Sequence, residues 1–123
     1  MPEGALAGRR VLVVEDEYFL ADELDRALTL AGATVLGPAP SVEAALDLLG
    51  GTAPDAAVLD VNLGGERAIP VADALVVRGV PFLFITGCDP AALPERHAAV
   101  RRLEKPVESS VTLRELGRLL EAM

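Results

Sequence analysis

Cysteine is nearly absent from this chain, and its scarcity limits the kind of protein it can be. Cys88 is the single cysteine among the 123 residues. An internal disulfide is therefore excluded, and the composition suits a reducing compartment, so we expect a cytoplasmic protein. The length is typical of one domain that buries a core without cross-links. We therefore expect a single domain over residues 1–123, with an ordered core at about 9–122.

Long hydrophobic runs are also missing. The longest stretch without a charged residue extends from Ala27 to Val42, and two glycines and two prolines interrupt it. The sequence therefore predicts no membrane-spanning helix and no membrane partner. The N-terminus carries Glu3 and has no long apolar segment, so we expect no secretory signal.

Positive charge is scarce as well. The chain has 11 Lys and Arg against 19 Asp and Glu, which gives a formal net charge of −8. Nucleic acid backbones are bound by dense patches of Lys and Arg, and the pairs Arg9-Arg10 and Arg101-Arg102 are too small to form one. We therefore expect no nucleic acid partner.

Short apolar runs and helical patterns alternate from one end of the chain to the other. We place five strands near 10–15, 33–36, 56–60, 81–85 and 101–104. Helices are expected near 18–31, 42–49, 67–78 and 109–122. This alternation predicts an α/β fold with a mainly parallel sheet and helices on both faces. The connection from Asp89 to His97 contains Pro90 and Pro94, so we expect it to be short or irregular.

Local signals refine three of the expected helices. Ser41 is a suitable N-cap for the second helix. Pro70 must lie in the first turn of the third helix or break it. In the first helix we expect Phe19 or its neighbours in the core and Tyr18 at the surface.

Polar residues stand where the apolar runs end. Glu15 and Asp16 follow the first strand, Asp60 ends the third, Thr86 follows the fourth, and Lys105 follows the fifth. In an open α/β sheet, ligands bind at the carboxyl ends of the strands. Each residue alone has an ordinary explanation, such as a helix start, a turn or a surface lysine. Their shared position instead favours a site for Mg²⁺-assisted phosphoryl transfer to a carboxylate.

The chain closely resembles, over nearly its whole length, the receiver domain of two-component response regulators. The resemblance rests on Val13 to Glu17, Leu59 to Asn62, Thr86-Gly87 and Lys105-Pro106. It implies a flavodoxin-like (βα)5 fold, in which a doubly wound, five-stranded parallel sheet has the strand order 2-1-3-4-5. It also implies a cis peptide bond between Lys105 and Pro106.

The same resemblance assigns a metal and a nucleophile. Asp60 would be the phosphoacceptor, and Glu15, Asp16 and Asp60 would hold Mg²⁺, for which Mn²⁺ can substitute. The backbone carbonyl of Asn62 would be a further metal ligand.

The remaining roles concern the phosphoryl group and its source. Thr86 would bind a phosphoryl oxygen, and Lys105 would pair with the phosphoryl group. The donor would be a phosphohistidine of a histidine kinase or of a histidine phosphotransfer protein. The domain would catalyse its own phosphorylation and dephosphorylation without turning over a general substrate, and it would signal through altered protein contacts. A homodimer is compatible with these roles.

The chain departs from the usual receiver pattern between its fourth and fifth strands. Residues 81–87 and 94–96 resemble the alphaproteobacterial "FATGUY" receivers, although Ile85 replaces the alanine of the motif and Asp89 replaces its tyrosine. Arg102 stands three residues before the lysine, where receivers usually carry an aromatic residue. We therefore expect no switch based on an inward-moving ring, and a signalling movement of residues 88–100 instead.

Other functions remain open at this point. A phosphatase of the haloacid-dehalogenase type also uses an aspartyl phosphate, but it places a DxD nucleophile after its first strand, where this chain has Glu15-Asp16-Glu17. A receiver-like binding domain would need an incomplete site. A receiver cut from a hybrid histidine kinase is a further alternative, since the chain ends at Met123. His97 as a phosphorelay histidine is not favoured, because such residues belong to helical bundles.

Overall fold

The computed structural model describes residues 4–87 and 93–122. In chain order the elements are β1 (Arg10–Val14), α1 (Tyr18–Leu30), β2 (Thr34–Ala39), α2 (Val42–Gly51), β3 (Ala56–Asp60), β4 (Asn62–Leu63), β5 (Glu66–Arg67), α3 (Ile69–Arg78), β6 (Phe82–Thr86), a 3-10 turn (Glu95–His97), β7 (Arg102–Glu104) and α4 (Ser109–Glu121). The five main strands form one sheet in the order β2-β1-β3-β6-β7, and every neighbouring pair is parallel. The expected strand order is therefore confirmed.

Apolar side chains cover both faces of this sheet, which explains why its strands are continuous hydrophobic runs. On one face, α2 and α3 pack over Leu12, Leu59 and Phe84. On the other face, α1 and α4 pack over Val13 and Leu83. The doubly wound α/β architecture follows from these two layers. Among the described helices, none combines the length and the apolar character that crossing a membrane requires.

The N-cap of α2 and the place of Pro70 agree with the local signals, whereas the first residue of α3 differs from the expected one. The Ala44 N–H donates to Ser41 Oγ at 3.1 Å, which confirms the N-cap of α2. Pro70 lies in the first turn of α3, although this helix begins at Ile69 rather than at Arg67. Phe19 itself lies outside the core, because its side chain is 83% exposed, whereas the nearby Ala21 is buried and Tyr18 is exposed as expected. The buried stripe of α1 instead comprises Ala21, Leu24 and Leu28.

Residues 93–101 precede β7 and lie over β6, beside α3. His97 is 1% exposed, and its ring packs edge-on against Phe82 and Phe84 with centroid distances of 6.1 Å in both cases. Its Nε2 lies 2.7 Å from Asp73 Oδ1, and the Arg96 guanidinium donates two hydrogen bonds of 2.9 Å to the same carboxylate. The pKa of Asp73 is lowered to about 2, mainly by the hydrogen bonds from Arg96 and, to a smaller extent, by the hydrogen bond with His97.

This Asp73–Arg96–His97 cluster fixes residues 95–97 to α3. His97 Nδ1 is buried, and no described atom forms a hydrogen bond with it. The histidine therefore acts mainly as a packing residue over the sheet, which its polar character does not suggest from the sequence. The expectations for Cys88, Asp89 and Pro90 lie outside the described residues.

His97 should contribute more to stability than the exposed ion pair beside it. We expect His97→Ala to lower the free energy of unfolding by roughly 2–3 kcal/mol, because it removes a buried ring and leaves a cavity. The matched change Arg96→Ala should cost less than about 1 kcal/mol, since solvent screens the Arg96–Asp73 pair. Urea unfolding of the two variants measures both effects. Equal losses would mean that the ion pair, and not the packing, holds this segment.

Candidate functional site

The parallel sheet brings four of its strand ends to one edge. Asp60 ends β3 and Thr86 ends β6, while Glu15 follows β1 and Lys105 follows β7. Asp16, Asp60, Asn62, Thr86 and Lys105 line a cleft of about 570 Å³ at this edge. Glu15, the sixth residue singled out from the sequence, contacts Lys105. All six therefore lie together.

Three carboxylates form the acidic part of the site. Glu15, Asp16 and Asp60 each offer an oxygen, and these oxygens lie within 4.8 Å of one another. Glu15 and Asp60 are buried, whereas Asp16 is exposed. Adjacent strand residues point in opposite directions, so Glu15 and Asp16 can share a site only because β1 ends at Val14 and the backbone turns after it.

Lys105 joins two of these acids. Its Nζ lies 2.8 Å from Asp60 Oδ2 and 3.3 Å from Glu15 Oε1. Partial burial lowers the pKa of Lys105, but the hydrogen bond to Asp60 and the surrounding negative charges outweigh it, so this pKa is raised overall. The lysine backbone is held in place by its N–H, which donates to the Thr86 carbonyl at 2.7 Å, and the Lys105-Pro106 bond is cis as expected.

Glu15 differs from an ordinary surface acid. Burial, followed by the contact with Asp60, raises its pKa to about 7, although the Glu17 N–H and the Lys105 charge act in the opposite direction. Near neutral pH, Glu15 therefore holds a proton for part of the time, which relieves the repulsion within the cluster. Close, hard oxygen donors with excess negative charge suit a divalent cation such as Mg²⁺. The residues present fit a metal site of this kind.

The second oxygen of Asp60 is held by the loop that follows it. The Asn62 N–H donates to Asp60 Oδ1 at 3.0 Å, while Oδ2 faces Lys105. The carboxylate orientation is therefore fixed from both sides. Thr86 is half-buried at the edge of the cleft, where its hydroxyl adds a neutral hydrogen-bonding group.

A small hairpin after Asp60 was not foreseen from the sequence. Strands β4 and β5 pair antiparallel through the turn Gly64-Gly65, whose φ angles of 58° and 98° are both positive. Glycine favours such a two-residue turn because other residues rarely adopt this conformation. The hairpin places Arg67 opposite Asn62 and at the cleft, rather than in a helix. The glycine pair was the available signal, since Gly-Gly is typical of tight hairpins.

Arg102 occupies the position at which receivers usually carry an aromatic residue, as the sequence indicates. Arg102 is the first residue of β7, lies beside Phe84 of β6 in the sheet register, and is exposed. Its charged side chain cannot replace a ring that becomes buried. The catalytic and metal-binding roles of the six clustered residues stay predictions, although their positions agree with them.

Comparison with known proteins gives the family. No protein-family model matches the chain. The solution structure of SdrG from Sphingomonas melonis Fr1 is similar at 37% identity and a TM-score of 0.78, covering 96% of this chain and 99% of that one. A response regulator receiver protein from Burkholderia phymatum is 30% identical with a TM-score of 0.77, covering 92% of this chain and 95% of that one.

One curated protein is also similar to the chain. Regulator of RpoS from Escherichia coli K12 is 32% identical over 116 residues, which is 90% of this chain. The match covers 34% of that protein, so this chain spans about a third of the length of its curated relatives. Similarity that extends over nearly all of this chain and nearly all of a solved receiver protein shows that the chain belongs to the receiver domains of two-component response regulators.

Proposed function

We propose that Asp60 accepts a phosphoryl group from a phosphohistidine while Mg²⁺ is held by Glu15, Asp16, Asp60 and the Asn62 carbonyl. The observation that carries this proposal is the position of Asp60, which lies 2.8 Å from the Lys105 ammonium and belongs to the three-carboxylate cluster. A carboxylate in this setting is a nucleophile with an ammonium beside it and two further acids that could hold a cation.

The reaction follows from these positions. An oxygen of Asp60 attacks phosphorus, a P–O bond forms, and the P–N bond to the donor histidine breaks. The histidine nitrogen keeps the electron pair and takes a proton from solvent. The transfer replaces one carboxylate charge by roughly two on the phosphoryl oxygens.

Residues around Asp60 would offset this added charge. Lys105 would move its hydrogen bond from the carboxylate to a phosphoryl oxygen, and the Thr86 hydroxyl would donate to another. Mg²⁺ held by the carboxylate cluster would supply further positive charge. Catalysis would therefore rest on positioning and electrostatic stabilisation, and the donor protein would supply the activated phosphoryl group.

The proposed donor is a histidine kinase or a histidine phosphotransfer protein. Tyr18 and Phe19 start α1 directly after the acidic residues, and their rings are 76% and 83% exposed with centroids 5.5 Å apart. Exposed aromatic side chains are common anchors in protein interfaces. Their place next to the cleft supports docking of the donor over α1, with its phosphohistidine facing Asp60.

Phosphorylation by a small donor tests the proposal without the partner protein. With Mg²⁺ and acetyl phosphate, intact mass should show the addition of one phosphoryl group, and Mn²⁺ should replace Mg²⁺. EDTA should prevent the addition, because the acidic cluster would then repel the anionic donor. Steady hydrolysis of a general phosphomonoester would instead favour the phosphatase alternative, and full labelling in EDTA would contradict the metal requirement.

A further inference from the structure

Arg67 is a second cation at the cleft, and no role has been assigned to it so far. We propose that its guanidinium is an anion-binding group that contacts the phosphoryl oxygens of the incoming donor. This inference rests on the proposed phosphorylation of Asp60 and adds a residue that recognises the donor. Among the described residues that line the cleft, Lys105 and Arg67 are the positively charged ones.

The backbone that carries Arg67 is anchored on several sides. Arg67 lies opposite Asn62 in the hairpin, and the Asn62 N–H donates to Asp60 Oδ1 at 3.0 Å. The neighbouring Glu66 accepts a hydrogen bond of 3.0 Å from the Val42 N–H at the start of α2. After the hairpin, the Ala68 N–H donates to the Val61 carbonyl at 2.9 Å. The backbone at position 67 is therefore fixed relative to Asp60.

The charges of the site require such a group on the donor side. Glu15 and Asp16 lie beside Asp60, and the Lys105 ammonium contacts Glu15 and Asp60. An arriving phosphoryl donor carries further negative charge and must approach this cluster from the open cleft. Arg67 is exposed and lines that opening. A guanidinium presents paired N–H groups that match phosphoryl oxygens, which an ammonium at the same position would match less well.

Lys105 and Arg67 would therefore have separate tasks. Lys105 contacts the nucleophile before transfer, at 2.8 Å from Asp60. Arg67 would contact the donor, so its loss should weaken donor binding more than it slows the transfer within the bound complex. If Arg67 only maintained the hairpin, its loss would not weaken donor binding selectively while leaving the rate of transfer nearly unchanged.

The test measures the rate of phosphorylation against acetyl phosphate concentration in saturating Mg²⁺. We expect Arg67→Gln to raise the half-saturating donor concentration roughly threefold to tenfold, with a change in maximal rate below about twofold. Arg67→Lys should give a smaller rise, because it keeps the charge but loses the paired geometry. Arg78→Gln is the matched control, since it removes the same charge from the exposed last residue of α3, outside the cleft.

The outcomes separate this inference from the proposed function. If Arg67→Gln and Arg78→Gln both match the unchanged protein, the role of Arg67 is refuted while phosphorylation of Asp60 stands. If the unchanged protein gains no phosphoryl group, both proposals fail. Weaker competitive inhibition by inorganic phosphate in Arg67→Gln than in Arg78→Gln gives a second measure of anion binding. Equal inhibition in the two variants would count against Arg67, even if the rates differed.

Discussion

Replacing Asp60 by asparagine should abolish phosphorylation of this protein. The amide has nearly the same shape and can still accept the Asn62 N–H, which donates to Asp60 Oδ1 at 3.0 Å. It lacks the anionic oxygen that attacks phosphorus, so labelling should fall by roughly a hundredfold or more. Intact mass after incubation with Mg²⁺ and acetyl phosphate measures the labelled fraction.

A second aspartate provides the control for this loss. Asp47 is exposed on α2 and lies away from the residues that line the cleft. Asp47→Asn removes the same charge and should leave labelling unchanged. Full labelling of Asp60→Asn would show that another acid accepts the phosphoryl group, and Asp16 would then be the next residue to replace, since it lies in the same acidic cluster.

Removing the other two acids should separate function from stability. The double change Glu15→Gln and Asp16→Asn should abolish labelling, because it leaves Asp60 as the single carboxylate of the cluster, which would hold a divalent cation much more weakly. The same variant should be more stable than the unchanged protein in EDTA at neutral pH, since it relieves repulsion around Asp60. Undiminished labelling of the double variant would refute the proposed metal ligands.

The stability gain should depend on pH in a defined direction. The pKa of Glu15 is about 7 in the folded protein against an ordinary value of 4.5. As pH rises from 4.5 to 7, the unfolded chain loses this proton before the folded chain does, so the folded state becomes less stable. The loss is on the order of 3 kcal/mol and is complete above the folded pKa.

Urea unfolding in EDTA across this pH range measures the effect. Glu15→Gln should remove the contribution of this residue and give a flatter profile, with the largest gain over the unchanged protein above pH 7. A profile that stays equally steep in Glu15→Gln would show that other groups cause the dependence. A gain that appeared below pH 4.5 would contradict the assignment, because Glu15 is protonated in both states there.

The sequence predicted the main strands and the site for one physical reason. Runs such as Val11–Val14 and Phe82–Ile85 are buried on both faces, so they are apolar throughout and end abruptly at polar residues. Those ends meet at one edge of a parallel sheet, and the cluster around Asp60 follows from the strand order alone. Loop conformations need not be known for that step.

The features that the sequence did not predict depend on contacts between distant residues. The hairpin is held by Glu66 bonding to Val42, and the segment over β6 is held by His97 bonding to Asp73, each across 24 positions of sequence. Local sequence patterns do not reveal such contacts. For this reason the sequence places Arg67 in a helix rather than in β5, and it does not predict the burial of His97. Phe19 is exposed because it lies outside the apolar stripe that α1 buries.

The acidic cluster would also affect how long this protein survives near proteases. A cation that binds the folded chain alone adds stability, by about 1.4 kcal/mol when its concentration is ten times the dissociation constant. Proteolysis often depends on the small fraction of opened molecules, which such a gain would reduce about tenfold. The carboxylates next to Asp60 would thus make degradation of the unphosphorylated protein sensitive to the supply of free magnesium.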